Sequence, residues 1–270
     1  MVKCSRKSIS LTDLWISTHD KLSDFHLSSW QRGESPVPML AVRLVLAAVA
    51  TGILIWSMTN VSPYWLIYLT NWGLLLVTLA TLSGLVVSVL TICTTVSDGA
   101  ELPWFVSMYW FMYNIATSIA VMITALYWIL LYDPEQTQYE DPSGFWLDVA
   151  THALNSCIMV IELVASRTPV RLLHFYQPLG IGLWYAAFSG VYYAAGGTDS
   201  NNNPFIYEVL DWRQGGRAGV MVGASAAGLI IVYILVWGVS LCREKLSLAI
   251  VRTTSHNLPL VPADSLTRIA

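Results

Sequence analysis

The sequence predicts an all-α polytopic membrane protein built as a bundle of six transmembrane helices. The 270-residue chain is 55% hydrophobic and only 11% charged, whereas soluble domains average about 25% charged residues. The apolar residues also gather into six blocks, most of them close to the ~20 residues that a helix needs to cross a bilayer. A soluble protein with a very apolar core would instead need amphipathic periodicity and more charge between the blocks.

The six apolar blocks follow one another with short polar connections. The predicted spans are residues 37–60, 64–96, 104–132, 145–165, 174–195 and 217–241. The second span is longer than a bilayer requires, so it must tilt or extend beyond the lipid. The chain therefore divides into an N-terminal tail (1–36), a transmembrane domain (37–242) and a C-terminal tail (243–270). The apolar residues of the first tail are irregularly spaced and predict at most a weak interfacial helix.

Lysine and arginine are distributed unevenly between the two ends of the predicted bundle. Eleven of the fourteen lie in the two tails and in the loop between spans four and five. Only Arg213 and Arg217 lie on the opposite side, and Arg43 lies inside span one. Because positive residues favour cytoplasmic loops, we expect both termini to be cytoplasmic. This pattern does not distinguish the endoplasmic reticulum from the plasma membrane.

Charge and cysteine spacing narrow the classes of partner and cofactor. A net charge of −3 without a basic run predicts no nucleic-acid partner. The four cysteines have no CxxC spacing, and two of them lie inside spans, so neither a zinc site nor a disulfide framework is expected. The acidic stretch 133–141 has irregular spacing and predicts a solvated loop. The sequence therefore predicts no metal and no cofactor, and it identifies no protein partner.

Thr70 and His152 are the principal candidate site residues because they are predicted to lie at the same depth. Thr70 is in span two and His152 is in span four, and both spans are predicted to enter the bilayer from the outer side. Each begins there with a pair of aromatic residues, which often mark the lipid–water boundary. Thr70 is five residues past Trp65, and His152 is six residues past Trp146. At 1.5 Å per residue, both side chains lie about 8–9 Å below that boundary. A threonine in a span usually bonds its own i−4 carbonyl, so this coincidence of depth is the reason to single out Thr70.

Spans two and four each carry a stripe that predicts an inward-facing side. On span four the stripe is Asp148, His152, Asn155, Met159 and Glu162. On span two it consists of small, hydroxyl or compact residues, which are Thr70, Gly73, Val77, Thr81, Gly84 and Ser88. Polar residues in a membrane face protein or water, and small residues let helices approach closely. Glu162 and Arg43 are both deep on the cytoplasmic side, and we expect them to form a structural ion pair.

Several short motifs resemble those of the rolling stone family of multi-span membrane proteins. They are Tyr68-Leu69-Thr70-Asn71-Trp72, His152-Ala153-Leu154-Asn155 followed by Glu162, Phe175-Tyr176-Gln177-Pro178, and Ile206-Tyr207 with Leu210-Asp211-Trp212. No single motif is specific, but their order along the chain is. The resemblance runs from about span two to span six and implies a multi-pass membrane protein.

The chain is more distantly similar to the androgen-induced hydrolase family, which cleaves fatty acid esters of hydroxy fatty acids. That resemblance implies a catalytic threonine on an early span and a catalytic histidine on a later one, at the positions of Thr70 and His152. The sequence around His152 departs from the hydrolase pattern, which leaves the substrate and the activity open.

If the protein is a hydrolase, its chemistry follows from these two residues. Thr70 would attack the ester carbonyl of a membrane lipid, such as a fatty acid ester, and His152 would act as general base and acid. Asp148 or Asn155 would hold the imidazole tautomer. The oxyanion donor would be Asn71, Tyr192 or Tyr193, which the sequence does not rank.

Two other classes of function are compatible with the sequence. A non-enzymatic membrane protein in adhesion, fusion or scaffolding would use the aromatic outer loop 196–216 as its working surface. A proton-coupled carrier would use Asp148, His152 and Glu162 as a relay. The carrier is less favoured, because the chain has no inverted repeat and no pair of broken helices.

Overall fold

The computed structural model describes residues 14–59, 63–93, 101–132 and 142–252. Within these ranges the chain is helical apart from turns, loops and one isolated bridge between Ser28 and Ser166. The acidic stretch 133–141 and residues 253–270 of the predicted C-terminal tail lie outside the described residues.

Six long helices form the bundle in the described part of the chain. We label them α1 (Val37–Thr59), α2 (Leu69–Cys93), α3 (Trp104–Leu126), α4 (Pro142–Val149 and Asn155–Ala165), α5 (Tyr176–Ala194) and α6 (Gly215–Ser247). A π-helical segment, Ala150–Leu154, joins the two halves of α4, and π-helical segments Tyr127–Leu131 and Leu248–Arg252 extend α3 and α6. The predicted all-α class and the order of the helices are confirmed.

Five of the six helices are long and apolar enough to cross a membrane. The exception is α5, which has the length but is less apolar because it carries glycine, proline, glutamine and several tyrosines. It packs against α3 and α6 in the same bundle. At 19 residues it is about 28 Å long, close to the thickness of the hydrocarbon core.

The long second predicted span is divided near its start. A 3₁₀ turn at Trp65–Ile67 precedes α2, and Tyr68 between them is extended. The indole of Trp65 donates to the Ser57 hydroxyl of α1 at 2.9 Å, which holds this turn against the bundle. Helix α2 therefore begins at Leu69, so that Thr70 lies in its first turn.

Helix α3 lies at the centre of the bundle. It contacts α2, α4, α5 and α6, while α1 packs on the far side of α2 and against α4. The stripe predicted on α2 faces inward, because every member except Thr70 is buried. The stripe predicted on α4 also faces inward, with Asp148 alone partly exposed.

The described part of the N-terminal tail is packed against the bundle. Leu22 and Phe25 form a buried 3₁₀ turn, so the predicted weak interfacial helix is wrong for these residues. The Ser29 amide donates to the Ala165 carbonyl at 2.8 Å, and the Ser247 hydroxyl at the end of α6 donates to the Ser29 carbonyl. Both described ends of the chain thus lie at the same end of the bundle. Their assignment to the cytoplasm stays a prediction.

The predicted ion pair between Arg43 and Glu162 is present at this end and is fully buried. The Arg43 Nη2 atom lies 2.9 Å from a Glu162 carboxylate oxygen, and its Nε donates to the same oxygen at 3.0 Å. Arg43 also donates to the Phe25 carbonyl, the Gly84 carbonyl, the Ser88 hydroxyl and the Tyr109 hydroxyl. The pair therefore ties the N-terminal segment to α1, α2, α3 and α4.

Candidate active site

The Thr70 hydroxyl has no acceptor within its own helix, because α2 begins only one residue before it. Five other threonines in the described helical segments donate to the carbonyl four residues earlier, namely Thr78, Thr81, Thr91, Thr117 and Thr151. The residue four before Thr70 is Leu66, which precedes the helix and whose carbonyl accepts the Trp72 indole N–H at 2.7 Å. The Thr70 hydroxyl is thereby left to contact another helix.

The structure brings Thr70 and His152 together. The Oγ1 atom of Thr70 lies 3.1 Å from Nε2 of His152. His152 lies in the π-helical segment of α4 and is 9% exposed, while Thr70 is half-buried. Segments of π-helix often occur at functional sites. The proximity predicted from membrane depth is therefore present, in a contact that joins residues 82 positions apart.

The other imidazole nitrogen determines which tautomer His152 adopts. Its Nδ1 lies 3.0 Å from the backbone carbonyl oxygen of Asp148 and 3.2 Å from the Thr151 hydroxyl. A carbonyl only accepts hydrogen bonds, so this contact places the proton of a neutral imidazole on Nδ1. Nε2 then carries the lone pair and accepts the Thr70 hydroxyl. The pair has the polarity of a nucleophile beside its general base.

Asp148, rather than Asn155, accompanies the imidazole. One Asp148 carboxylate oxygen lies 3.7 Å from His152 Nδ1, and the other accepts the Tyr127 hydroxyl at 2.8 Å. The Tyr127 ring also stacks on the imidazole, with the ring centroids 3.6 Å apart and the planes 9° from parallel. Thr124 donates to the His152 carbonyl from the same side. Sequence reasoning missed Tyr127 and Thr124, because neither lies on a polar stripe.

Two predicted supporting residues have other positions. Asn155 is completely buried, and its amide has no hydrogen-bond partner among the described residues. It lies beside Gly73 rather than at the imidazole. Asn71 donates to the Trp65 carbonyl at 2.6 Å and so holds the turn before α2. The structure thus shows no hydrogen bond from Asn155 to the imidazole and places the Asn71 amide in the turn before α2, while the supporting roles expected of both residues stay predictions.

The Tyr192 hydroxyl, a candidate oxyanion donor, also has a different hydrogen-bond partner. It donates to the Thr198 carbonyl at 2.8 Å, near the start of the outer loop. Neither Tyr192 nor Tyr193 lines the cavity beside Thr70. The two tyrosines that do surround the start of α2 are Tyr185 and Tyr207.

An apolar cavity opens beside Thr70. It is enclosed by α3, α5, α6 and the outer loop, and its empty volume, including its open mouth, is about 920 Å³. Hydroxyl groups are the main polar feature of its lining, and they belong to Thr70, Tyr127, Tyr185, Tyr207 and Ser225. No charged side chain lines the cavity among the described residues. Such a cavity suits an uncharged hydrocarbon chain whose polar end reaches Thr70.

The outer loop forms one wall of this cavity. Tyr207, Val209 and Leu210 line it, and the Tyr207 hydroxyl accepts the Leu69 backbone N–H at 3.0 Å. The Trp212 indole donates to the Ser189 hydroxyl of α5 at 3.1 Å. Outside the membrane, hydrogen bonds from Arg213 hold the pKa of Asp211 below its usual value. This loop is folded onto the helices and belongs to the site.

The site offers no arrangement for a metal. Among the described residues, no group of three or more histidine, cysteine, aspartate or glutamate side chains lies close enough together to hold an ion.

The fold and the site define a polytopic helical membrane protein with a hydroxyl–imidazole pair beside an apolar cavity. The family model described as protein rolling stone matches residues 3–261. Protein rolling stone from Drosophila melanogaster is 26% identical over 230 residues, which covers 81% of this chain and 81% of the relative. No solved structure matches the chain. The chain belongs to the rolling stone family, and its similarity to the androgen-induced hydrolases stays a prediction.

Proposed function

We propose that this protein hydrolyses carboxylic esters of lipids inside the membrane, with Thr70 as nucleophile and His152 as general base. The observation that supports this proposal is the 3.1 Å contact between Thr70 Oγ1 and His152 Nε2 at the wall of an apolar cavity. A hydroxyl is a weak nucleophile at its free pKa and needs such a base. The sequence resemblance to membrane ester hydrolases points to the same two residues.

The reaction would proceed in two steps. As Thr70 attacks the carbonyl carbon, its proton passes to His152 Nε2. The bond between acyl carbon and alkoxy oxygen then breaks, and His152 gives the proton to the departing alkoxide. Water next attacks the acyl–threonine ester, His152 takes a proton from it, and Thr70 recovers that proton as the fatty acid leaves.

The surroundings of His152 support this cycle. The Asp148 carbonyl fixes the proton on Nδ1, which leaves Nε2 basic. The Asp148 carboxylate, held by Tyr127, lies 3.7 Å from Nδ1 and favours the imidazolium that forms in each step. The stacked Tyr127 ring prevents the imidazole from turning away.

The cavity indicates the class of substrate. Its uncharged, apolar lining suits the acyl chain of a neutral or singly charged lipid. Any charged group of that lipid would remain outside the cavity, because burying an isolated charge is costly. The acyl carbonyl would then lie beside Thr70.

The proton-carrier alternative is less well supported. Glu162 is ten residues from His152, or about 15 Å along a helix, and it is paired with Arg43 at the other end of the bundle. The apolar side chain of Met159 lies between them on the same stripe. The adhesion or scaffold alternative needs an available outer loop, whereas the described loop is engaged with the cavity.

The test is covalent labelling of the purified protein by a lipophilic fluorophosphonate, together with hydrolysis of a fluorogenic long-chain ester. We expect wild type to label and to hydrolyse the ester, and Thr70→Ala and His152→Ala to do neither. Thr91→Ala is the matched control, since Thr91 lies on the same helix, away from the cavity, and bonds its own helix carbonyls. A well-folded wild type that neither labels nor hydrolyses would refute the proposal and favour the scaffold alternative.

A further inference from the structure

The first turn of α2 offers backbone N–H groups that take no part in the contact between Thr70 and His152. The first N–H groups of a helix have no intrahelical acceptor and attract partial negative charge. Here the Leu69 N–H donates to the Tyr207 hydroxyl at 3.0 Å. The Tyr207 and Tyr185 side chains also line the same cavity as Thr70.

We propose that Tyr207 is a catalytic residue that donates a hydrogen bond to the oxyanion formed when Thr70 attacks the ester. This inference rests on the proposed function and assigns a role that the sequence left open. His152 contacts Thr70 from α4, whereas Tyr207 of the outer loop accepts the N–H of the adjacent Leu69 and lines the same cavity as Thr70. The base and the oxyanion donor would thus come from different elements that meet at the nucleophile.

The hydrogen bond from the Leu69 N–H uses only the oxygen of Tyr207, so the phenol proton of Tyr207 can be donated to a neighbouring hydroxyl or to an oxyanion. The same hydrogen bond polarises the phenol and strengthens the bond that it can donate. Burial raises the pKa of Tyr207 above its usual value, so the phenol stays protonated at neutral pH. Such a donor, aimed where charge develops, is worth more in a water-poor site than in water.

The other tyrosines of the cavity have their protons committed. The Tyr185 hydroxyl donates to the Ile67 carbonyl at 2.8 Å, and the Tyr127 hydroxyl donates to Asp148. Tyr185 therefore acts as a support for Tyr207 and for the turn before α2. Tyr68 packs edge-on against the Tyr207 ring at 5.9 Å and holds its plane.

The test compares kcat and KM of Tyr207→Phe with those of wild type for the same fluorogenic ester. We expect kcat to fall by roughly 10²–10³-fold, the usual loss of one oxyanion donor, with little change in KM. Labelling by the fluorophosphonate should slow in parallel, because its phosphoryl oxygen occupies the oxyanion position. Tyr176→Phe is the matched control, because Tyr176 does not line the cavity and its hydroxyl donates to the Leu14 carbonyl, and its kcat should remain that of wild type.

A second variant keeps the test valid if Tyr207→Phe folds poorly. Replacing Tyr207 with 3-fluorotyrosine keeps its shape and makes the phenol more acidic, so an oxyanion donor predicts a change in kcat without a change in melting temperature. Wild-type kcat in Tyr207→Phe, or in the fluorotyrosine variant when Tyr207→Phe does not fold, would overturn the assignment while Thr70 and His152 remain essential. A wild type without activity would overturn the proposed function and this inference together.

Discussion

The buried pair of Arg43 and Glu162 allows a quantitative prediction about stability. Arg43 is 1% exposed and Glu162 is 3% exposed. Replacing Glu162 with glutamine keeps the shape of the side chain but removes the charge that balances the guanidinium. An unbalanced buried charge typically costs about 3–5 kcal/mol when one partner of a buried pair is removed.

The surroundings of Arg43 place the expected cost near the lower end of that range. Four acceptors remain after the substitution, namely two backbone carbonyls, a serine hydroxyl and the Tyr109 hydroxyl. They stabilise the guanidinium but carry no full negative charge. We therefore expect Glu162→Gln to lose about 3 kcal/mol, which corresponds to roughly 6–12 °C in melting temperature for a chain of about this size.

The measurement is a thermal melt of the purified protein in detergent, followed by tryptophan fluorescence. The double variant Arg43→Met with Glu162→Leu removes both charges, and we expect it to recover most of the loss, because a well-packed apolar pair avoids the desolvation cost. Ester hydrolysis per folded molecule should be unchanged in both variants. If Glu162→Gln melts within about 1 °C of wild type, the ion pair does not contribute to the stability of the fold. If Glu162→Gln loses activity but keeps its stability, the result would instead support the proton relay through Asp148, His152 and Glu162.

Two further predictions concern packing between the helices. Gly84→Ala should lower stability by about 1–3 kcal/mol in the same melt, because a Cβ at this position would lie 2.9 Å from the Tyr109 ring. The control is Gly52→Ala, which has open space around it and should melt at the wild-type temperature or slightly higher. Asn155→Leu should raise stability by about 1–3 kcal/mol, because the buried amide has no partner among the described residues. The control is Asn114→Leu, which removes two hydrogen bonds and should lower the stability. If Asn155→Leu is instead destabilised, the Asn155 amide is hydrogen-bonded in the folded protein.

The helices were predictable because their lengths are imposed by the membrane. The first span was expected at 37–60, and α1 is Val37–Thr59. The inward faces of α2 and α4 were also predictable, since polar and small residues at helical spacing have only the protein interior to occupy. The 3₁₀ turn before Leu69 was not anticipated, because a continuous apolar stretch carries no signal for such a break.

The candidate site was only partly predictable. Thr70 and His152 share a depth that can be counted from nearby aromatic residues, and their contact requires no more than neighbouring helices. Tyr127 and Tyr207 gave no comparable signal. Tyr127 stacks on His152 across two helices, from the end of α3 to the π-helical segment of α4, and Tyr207 reaches Leu69 from 138 residues away along the chain.

The sequence by itself determined the class of protein, the order and approximate positions of its helices, the faces that α2 and α4 bury, and the two residues proposed for the candidate site. These properties follow from local periodicity and from the energetic cost of placing polar groups in lipid. Only the tertiary structure decided that Asp148 rather than Asn155 accompanies the imidazole and that the outer loop forms one wall of the cavity beside Thr70. The physical reason is that hydrogen-bond partners depend on ångström-scale contacts between distant segments, which no local pattern specifies.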